Sequence, residues 1–352
     1  MSPEGARSEG GAAVGGWALW LHGVRPVPEL VELAQVAEDA GAAALLLADE
    51  GTDRDIYVVL AAMAAATRRI MLVPAITNPH SRHPVATAAA LASLEELAPG
   101  RVVAGLGAGG NLVFGPMCIQ PARPFTALVE AVDVIDRLLA GEVVDHHGQF
   151  GASHAAIDWS PRRLPIAIAG RGPKVEVFAA QRADWVIVAG KAVDEFPRLA
   201  AELRHGRGDR AAPVVIWNPL AAWRPEHVQE VRSHFAYMTV DLPLADRTAL
   251  GVTDEQVAKL RETVHKQGPA AAAHLVPDAL TRRFAIVGSR DEVVRRLDEG
   301  RRAARPELVA FAAHEYTAEF VREVAEIAAE AGIGPRGTGQ TTGTELADTA
   351  PR

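Results

Sequence analysis

Eight short, nearly continuous apolar runs are spread along the chain: Trp17–His22, Ala44–Ala48, Ile70–Ala75, Arg101–Leu106, Leu164–Ala169, Trp185–Ala189, Val214–Asn218 and Leu308–Ala312. A strand that is apolar at every position must be covered on both faces, which is the condition of a parallel sheet packed between helices. Segments with helical spacing lie between most of the runs, at Pro28–Ala40, Arg54–Ala66, Pro84–Leu97, Phe125–Ala140, Pro173–Arg182, Asp194–His205, Glu292–Ala304 and Ala318–Ala331. Strand and helix alternating about eight times predict an α/β protein of the (β/α)8, or TIM-barrel, type. A doubly wound open sheet is the alternative. The first turn, His22–Pro28, lacks the glycine-rich fingerprint expected there.

Two stretches break the rhythm. Glu142–Trp159 reads as a hairpin excursion, and roughly Pro225–Arg283 reads as a helical insertion after the seventh strand. Residues 1–16 and the Gly/Thr-rich 334–352 read as a disordered lead and tail around one barrel domain spanning 17–333.

Composition narrows the function. The 352 residues carry 36 Lys+Arg against 44 Asp+Glu, a net charge of −8, which argues against a nucleic-acid footprint. No apolar run approaches the roughly 18 residues that span a bilayer. The lead contains Glu4 and Glu9 and does not read as a secretory signal. Cys118 is the single cysteine, so no internal disulfide forms and a reducing, cytoplasmic setting is expected. It is expected to be a buried small hydrophobe rather than a nucleophile.

Polar residues gather at the ends of the runs. Ile70–Ala75 leads into Thr77, Asn78, Pro79, His80, Ser81, Arg82 and His83 before Pro84 opens a helix. In a barrel this loop shares one rim with His22, Asp49, Glu50, Lys191, Asn218, His314 and Glu315, and active sites sit on that rim. Two turns are glycine-rich, Gly105–Asn111 and Ala169–Lys174. Glycines there let backbone N–H groups approach an anion, and Arg171 and Lys174 add charge, which points to a phosphate-bearing ligand. Asp49-Glu50 reads either as an acid/base pair or as a helix N-cap with a solvated neighbour. His146-His147 and the scattered His22, His83 and His314 have no metal-ligand spacing, and no metal is expected.

The segments LLLADEGTDRD, MLVPAITNPHSRHP, RVVAGLGAGGN and LPIAIAGRGPK, in this order, resemble the bacterial luciferase-like superfamily. They look most like its deazaflavin-dependent branch, which includes methylenetetrahydromethanopterin reductases. The resemblance implies a (β/α)8 barrel with an insertion, coenzyme F420 as hydride carrier, a small-molecule substrate and a homodimer. It implies a non-proline cis peptide at Ala75–Ile76 backing the deazaflavin ring, with Thr77 at the ring's polar edge and Asn78 in the same loop. It places Asp49 and Glu50 at the ring, with Glu50 as the acid/base where many relatives have histidine. Gly107, Ala108, Gly109, Gly110 and Asn111, with Ala169, Gly170, Arg171, Gly172 and Lys174, would hold the ribityl and phosphate part. FMN with monooxygenase chemistry is the alternative cofactor reading, and a non-catalytic cofactor-binding member is another. The insertion would shape the substrate pocket, where His274, Arg282 and Arg283 read either as ligands of an acidic group or as a solvated face.

Overall fold

The structure, a computed structural model, describes residues 15–159, 162–170, 172–206, 211–240 and 244–334. The lead through residue 14, the tail from residue 335 and Arg171 lie outside the described residues. The barrel strands are β1 (Gly16–Leu21), β2 (Ala44–Leu47), β3 (Met71–Pro74), β4 (Ala104–Leu106), β7 (Ile166–Ala169), β8 (Trp185–Ala189), β9 (Val214–Asn218) and β10 (Leu308–Ala312). The predicted hairpin is present as antiparallel β5 (Val144–His146) and β6 (Ala152–Ala155). The outer helices are α1 (Val27–Asp39), α2 (Ile56–Ala66), α3 (Pro84–Leu97), α4 (Asn111–Phe114), α5 (Pro124–Leu139), α6 (Pro173–Arg182) and α7 (Phe196–His205). The insertion holds α8 (Pro225–Val240), α9 (Leu244–Ala249), α10 (Asp254–Gln267), α11 (Pro269–Ala272) and α12 (Asp278–Phe284), and the barrel resumes with α13 (Arg290–Ala304) and α14 (Ala318–Glu330).

All barrel pairings are parallel, in the order β3-β2-β1-β10-β9-β8-β7-β4. Alternate residues of each strand face inward and outward, and both sets are apolar. Ala18, Leu46, Val73, Ile187, Ile216 and Ala310 fill the barrel interior. Leu19, Leu45, Leu72, Val186, Val215 and Phe311 pack against the helices. The uninterrupted apolar runs follow from this two-sided burial. The insertion has a small core of its own around Val231, Phe235, Leu260 and Leu280.

The two ends of the strand order meet at β3 and β4, and this seam closes the barrel. Below it, Leu72 N donates to Arg101 O at 2.7 Å and Val103 N donates to Leu72 O at 3.1 Å. Above it, Thr77 N donates to Gly105 O at 3.2 Å and Gly107 N donates to Thr77 O at 3.0 Å. Between these pairs Pro74, Ala75 and Ile76 bulge out of the ladder, and Ala75–Ile76 is a cis peptide. The carbonyl of Pro74 lies over Gly105, where a Cβ would be 1.8 Å from the oxygen. This explains why β4 is shorter than the apolar run Arg101–Leu106.

One core expectation fails. Cys118 is exposed, with φ of 53°, because it sits in a turn after α4 with no element to bury it. Of the two hairpin histidines, His147 is exposed, while His146 turns inward with Nε2 3.6 Å from Glu130 Oε2.

Gly105→Ala is expected to destabilise the protein by about 3 kcal/mol or more, the upper end of overpacking costs, since the carbonyl it meets is backbone and cannot rotate away. Gly110→Ala, where an added Cβ meets nothing within 4 Å, should leave the melting temperature unchanged.

Candidate active site

Burial decides the chemistry of the rim. Thr77 is fully buried and its Oγ1 donates to Asp49 Oδ2 at 2.8 Å. Asp49 does not cap a helix. That role falls to Asp55, whose Oδ1 accepts from Tyr57 N and Val58 N. Burial raises the Asp49 carboxyl above the usual range; Thr77 pulls it down in part, and Asp55 pushes it up again. Glu50 is also raised, by burial first and then by the charges of Asp53 and Asp49, against a lowering influence from His22. Tyr57 lies beside them, with a hydroxyl that is buried and has no hydrogen-bond partner among the described residues. Burial raises its phenol strongly, so it is neutral. The rim therefore offers two carboxyl groups that hold their protons to higher pH than an ordinary carboxylate does.

The loop after β3 is held mostly by itself. Asn78 Oδ1 accepts from His80 N at 3.0 Å and Ser81 N at 2.9 Å, and its Nδ2 donates to Ser81 Oγ. Asn78 thus organises the turn rather than presenting a free amide. His83 is the N-cap of α3. Arg82 pairs with Asp55 at 2.7 Å and lies 4.8 Å from the centre of the Tyr57 ring. His80 packs edge-on against Phe114, and burial lowers its pKa.

The two glycine turns divide into closed and open positions. Gly107 is closed: a Cβ there would meet Ile76 Cδ1 at 1.9 Å, so the glycine lets β4 pass close under the bulge. Gly109 and Gly170 are closed by Phe114 and Val175. Gly110 and Gly172 face open space. Ala108 and Ala169 are half-buried beside them, and Asn111 opens α4, its side chain outside the description. Gly172 is the N-cap of α6, a helix start with no side-chain cap, and Lys174 is exposed in its first turn. Lys191, past β8, pairs with Glu176 of the same turn at 2.5 Å and offsets its charge. An uncapped helix start between open backbone and a lysine fits a phosphate-bearing cofactor.

A second cluster joins His314 and Glu315, expected on the rim, to residues that the sequence reading missed because they lie far away in the chain. Arg224 pairs with Glu315 and Glu323, and His227 Nε2 lies 2.9 Å from Glu315 Oε1. His314 bridges Glu230 at 2.8 Å and the carbonyl of Ala221 at 2.9 Å. The rings of His227 and His314 stack at 4.7 Å, and Trp223 and Phe320 stack at 5.5 Å, each pair edge-on to the other. Glu226, His227 and Glu315 are metal-ligand types within 4.8 Å of one another, but the guanidinium on Glu315 makes the group an ion-pair network. It ties the insertion to the loop after β10. That loop carries Tyr316, whose hydroxyl accepts from His22 N at 3.0 Å. Arg283 ties the far end of the insertion to Glu195 at 2.7 Å. Arg282 is exposed.

The fold and this rim define an enzyme of the luciferase-like class. Residues 10–308 match the family model described as luciferase-like monooxygenase, and the chain belongs to that family. It is 28% identical over 294 residues to a 5,10-methylenetetrahydromethanopterin reductase of Archaeoglobus fulgidus, covering 80% of this chain and 89% of that one. It is 30% identical over 194 residues to an F420-dependent glucose-6-phosphate dehydrogenase of Kineococcus radiotolerans, covering 51% of this chain and 58% of that one. The structure of a coenzyme F420-dependent tetrahydromethanopterin reductase from Methanopyrus kandleri superposes with a TM-score of 0.77 at 22% identity, covering 89% of this chain and 97% of that one. Among the described residues no helix is long and apolar enough to cross a membrane.

The raised, half-buried carboxyls make a prediction about stability. A carboxyl raised by folding holds its proton in the native state over a pH range where the unfolded chain has lost it. Stability therefore falls as pH rises from the ordinary carboxylate range through the raised value. Glu50→Gln escapes this penalty. Its melting temperature should exceed that of the wild type at pH 7 and converge with it on acidification. A variant melting lower at pH 7 would show that Glu50 is stabilised as a carboxylate.

Proposed function

We propose that the protein is a coenzyme F420-dependent oxidoreductase acting on a small organic substrate. The observation that carries this is the half-buried acid pair Asp49–Glu50 at the barrel rim, Asp49 bonded to Thr77, on a fold whose glycine turns at the ends of β4 and β7 have open faces that fit a phosphate-bearing cofactor. The relatives named for F420 support the choice of deazaflavin over FMN.

When bound, the deazaflavin supplies or accepts the hydride. In this reading Ala75 and Ile76 back its ring, and Thr77 meets the polar edge. Gly107, Ala108, Gly109, Gly110 and Asn111 with Ala169, Gly170, Arg171, Gly172 and Lys174 hold the chain that ends in phosphate, Gly172 and Lys174 through the α6 start. Glu50, raised by burial, gives or takes the proton at the substrate, and Asp49 is held in place by Thr77 Oγ1. The insertion covers the rim and excludes water, so the protein contributes mainly position and polarity.

Purified protein titrated with F420 and with FMN, followed by tryptophan quenching and cofactor fluorescence, is expected to bind F420 micromolar or tighter and FMN far more weakly. Preference for FMN would move the protein to the monooxygenase reading, and binding of neither would sink the cofactor argument. Glu50→Gln should retain F420 affinity and lose on the order of 10²-fold or more in turnover, the range of general acid–base catalysis. Unchanged turnover in that variant would remove Glu50 from the chemistry.

The protein acts as a homodimer in this reading, joined through α2 and α3. These helices leave Val58 and Leu97 62% and 54% exposed. The two residues flank a groove of about 420 Å³ lined also by Ala61, Ala90 and Leu94. A two-fold axis would set each ridge in the other copy's groove. Val58→Glu with Leu97→Glu should convert the dimer to monomer in light-scattering chromatography, and a wild type already monomeric would rule the interface out.

A further inference from the structure

Tyr316 belongs to no motif, yet several constraints converge on it. Its hydroxyl accepts a hydrogen bond from the backbone N–H of His22 at 3.0 Å, at the end of β1. That bond uses a lone pair of the oxygen and leaves the phenolic proton unused, since the hydroxyl has no acceptor among the described residues. His22, whose N–H meets the phenol, also acts electrostatically on Glu50, and the charge of Asp53 acts on both groups, so the phenol and the carboxyl share the side of the rim at the end of β1. Arg25 lies 5.9 Å from the centre of the Tyr316 ring.

The loop carrying Tyr316 is unusually well tied down. His314, two residues earlier, holds Glu230 and the Ala221 carbonyl, and Glu315 holds Arg224 and His227. The four-ring box of Trp223, His227, His314 and Phe320 locks this loop against the first turn of α8. A donor held this way is oriented before a ligand arrives, and a preorganised donor is worth more than a mobile one.

We propose that Tyr316 is a catalytic residue that donates its hydrogen bond to the oxygen on the carbon that exchanges hydride, and that the substrate is therefore an alcohol or its ketone. This deepens the F420 reading above and rests on it. Burial pushes the phenol up to about 12, so it remains a donor throughout the neutral range. In the reducing direction the carbonyl carbon gains a hydride from reduced F420 and the C=O π bond opens. The oxygen takes a proton from Glu50, leaving an alcohol, oxidised F420 and the Glu50 carboxylate. Tyr316 keeps its own proton and steadies the negative charge that grows on the oxygen. Oxidation of the alcohol is the same sequence in reverse.

The test compares wild type with Tyr316→Phe, each first titrated with F420 and then, cofactor-loaded, with acetone and cyclohexanone, following cofactor fluorescence. Both proteins should bind F420 with affinities within about twofold of each other. Ketone affinity should fall roughly tenfold in Tyr316→Phe, equivalent to about 1.4 kcal/mol. The rate of F420 reduction by cyclohexanol should fall further than the affinity. Placing 3,5-difluorotyrosine at position 316 keeps ring and hydroxyl but strengthens the donor, so it should tighten ketone binding, whatever the phenylalanine variant does to folding. Equal ketone affinity in all three proteins would overturn the assignment of Tyr316. A wild type that binds F420 but responds to neither ketone would overturn it as well. Failure of the wild type to bind F420 would instead strike the cofactor reading beneath it.

Discussion

The passage of β4 beneath the bulged end of β3 is the contact on which the rest of the structure depends. Gly105 has no side chain, so the Pro74 carbonyl can sit over it. That approach lets Thr77 rejoin the ladder through Gly105 and Gly107 on the far side of the bulge. The barrel closes there, and the same closure buries Thr77 and aims its hydroxyl at Asp49. Fold and site share one piece of backbone geometry. Glu38 anchors the approach from below: burial alone would raise its carboxyl, but backbone N–H groups of Arg69, Ile70 and Arg68 hold it low.

From that seam the electrostatics follow in order. Parallel strands end together, so the carboxyls of Asp49 and Glu50 stand at the edge of an apolar barrel and lose water. Loss of water raises them both. Lys191 on Glu176 and Arg82 on Asp55 deal with other rim carboxylates by pairing them. The acids that remain poised are those without a full counter-charge, which is the condition a proton-transferring group needs.

Much of the fold was legible in the sequence because the signal is local. Each apolar run becomes a strand on its own terms, and Pro84, Pro173 and Gly41 mark helix boundaries through backbone preferences that need no partner. Errors fall where locality ends. Cys118 looked like core by residue type, but no element passes over it. Asn78 is one polar residue among several in the sequence, and only the fold shows that its amide organises its own turn. The glycines of the two turns look alike in sequence. Only their neighbours separate Gly107, closed by Ile76, from Gly110 and Gly172, which are open.

The sequence by itself determined the alternation of strand and helix, hence the barrel, the rim on which polar residues collect, and the presence of an insertion after the seventh barrel strand. These are properties of period and hydrophobicity, carried by each segment alone. The tertiary structure decided which rim residues act together. Arg224, His227, Glu230 and the loop 314–316 are separated by about ninety residues or fewer and meet only because β9 and β10 are neighbours in the closed sheet. Tyr316 reaches His22 for the same reason, since closure places the last strand beside the first. Contacts of that kind depend on which strands pair, and pairing is a property of the whole chain.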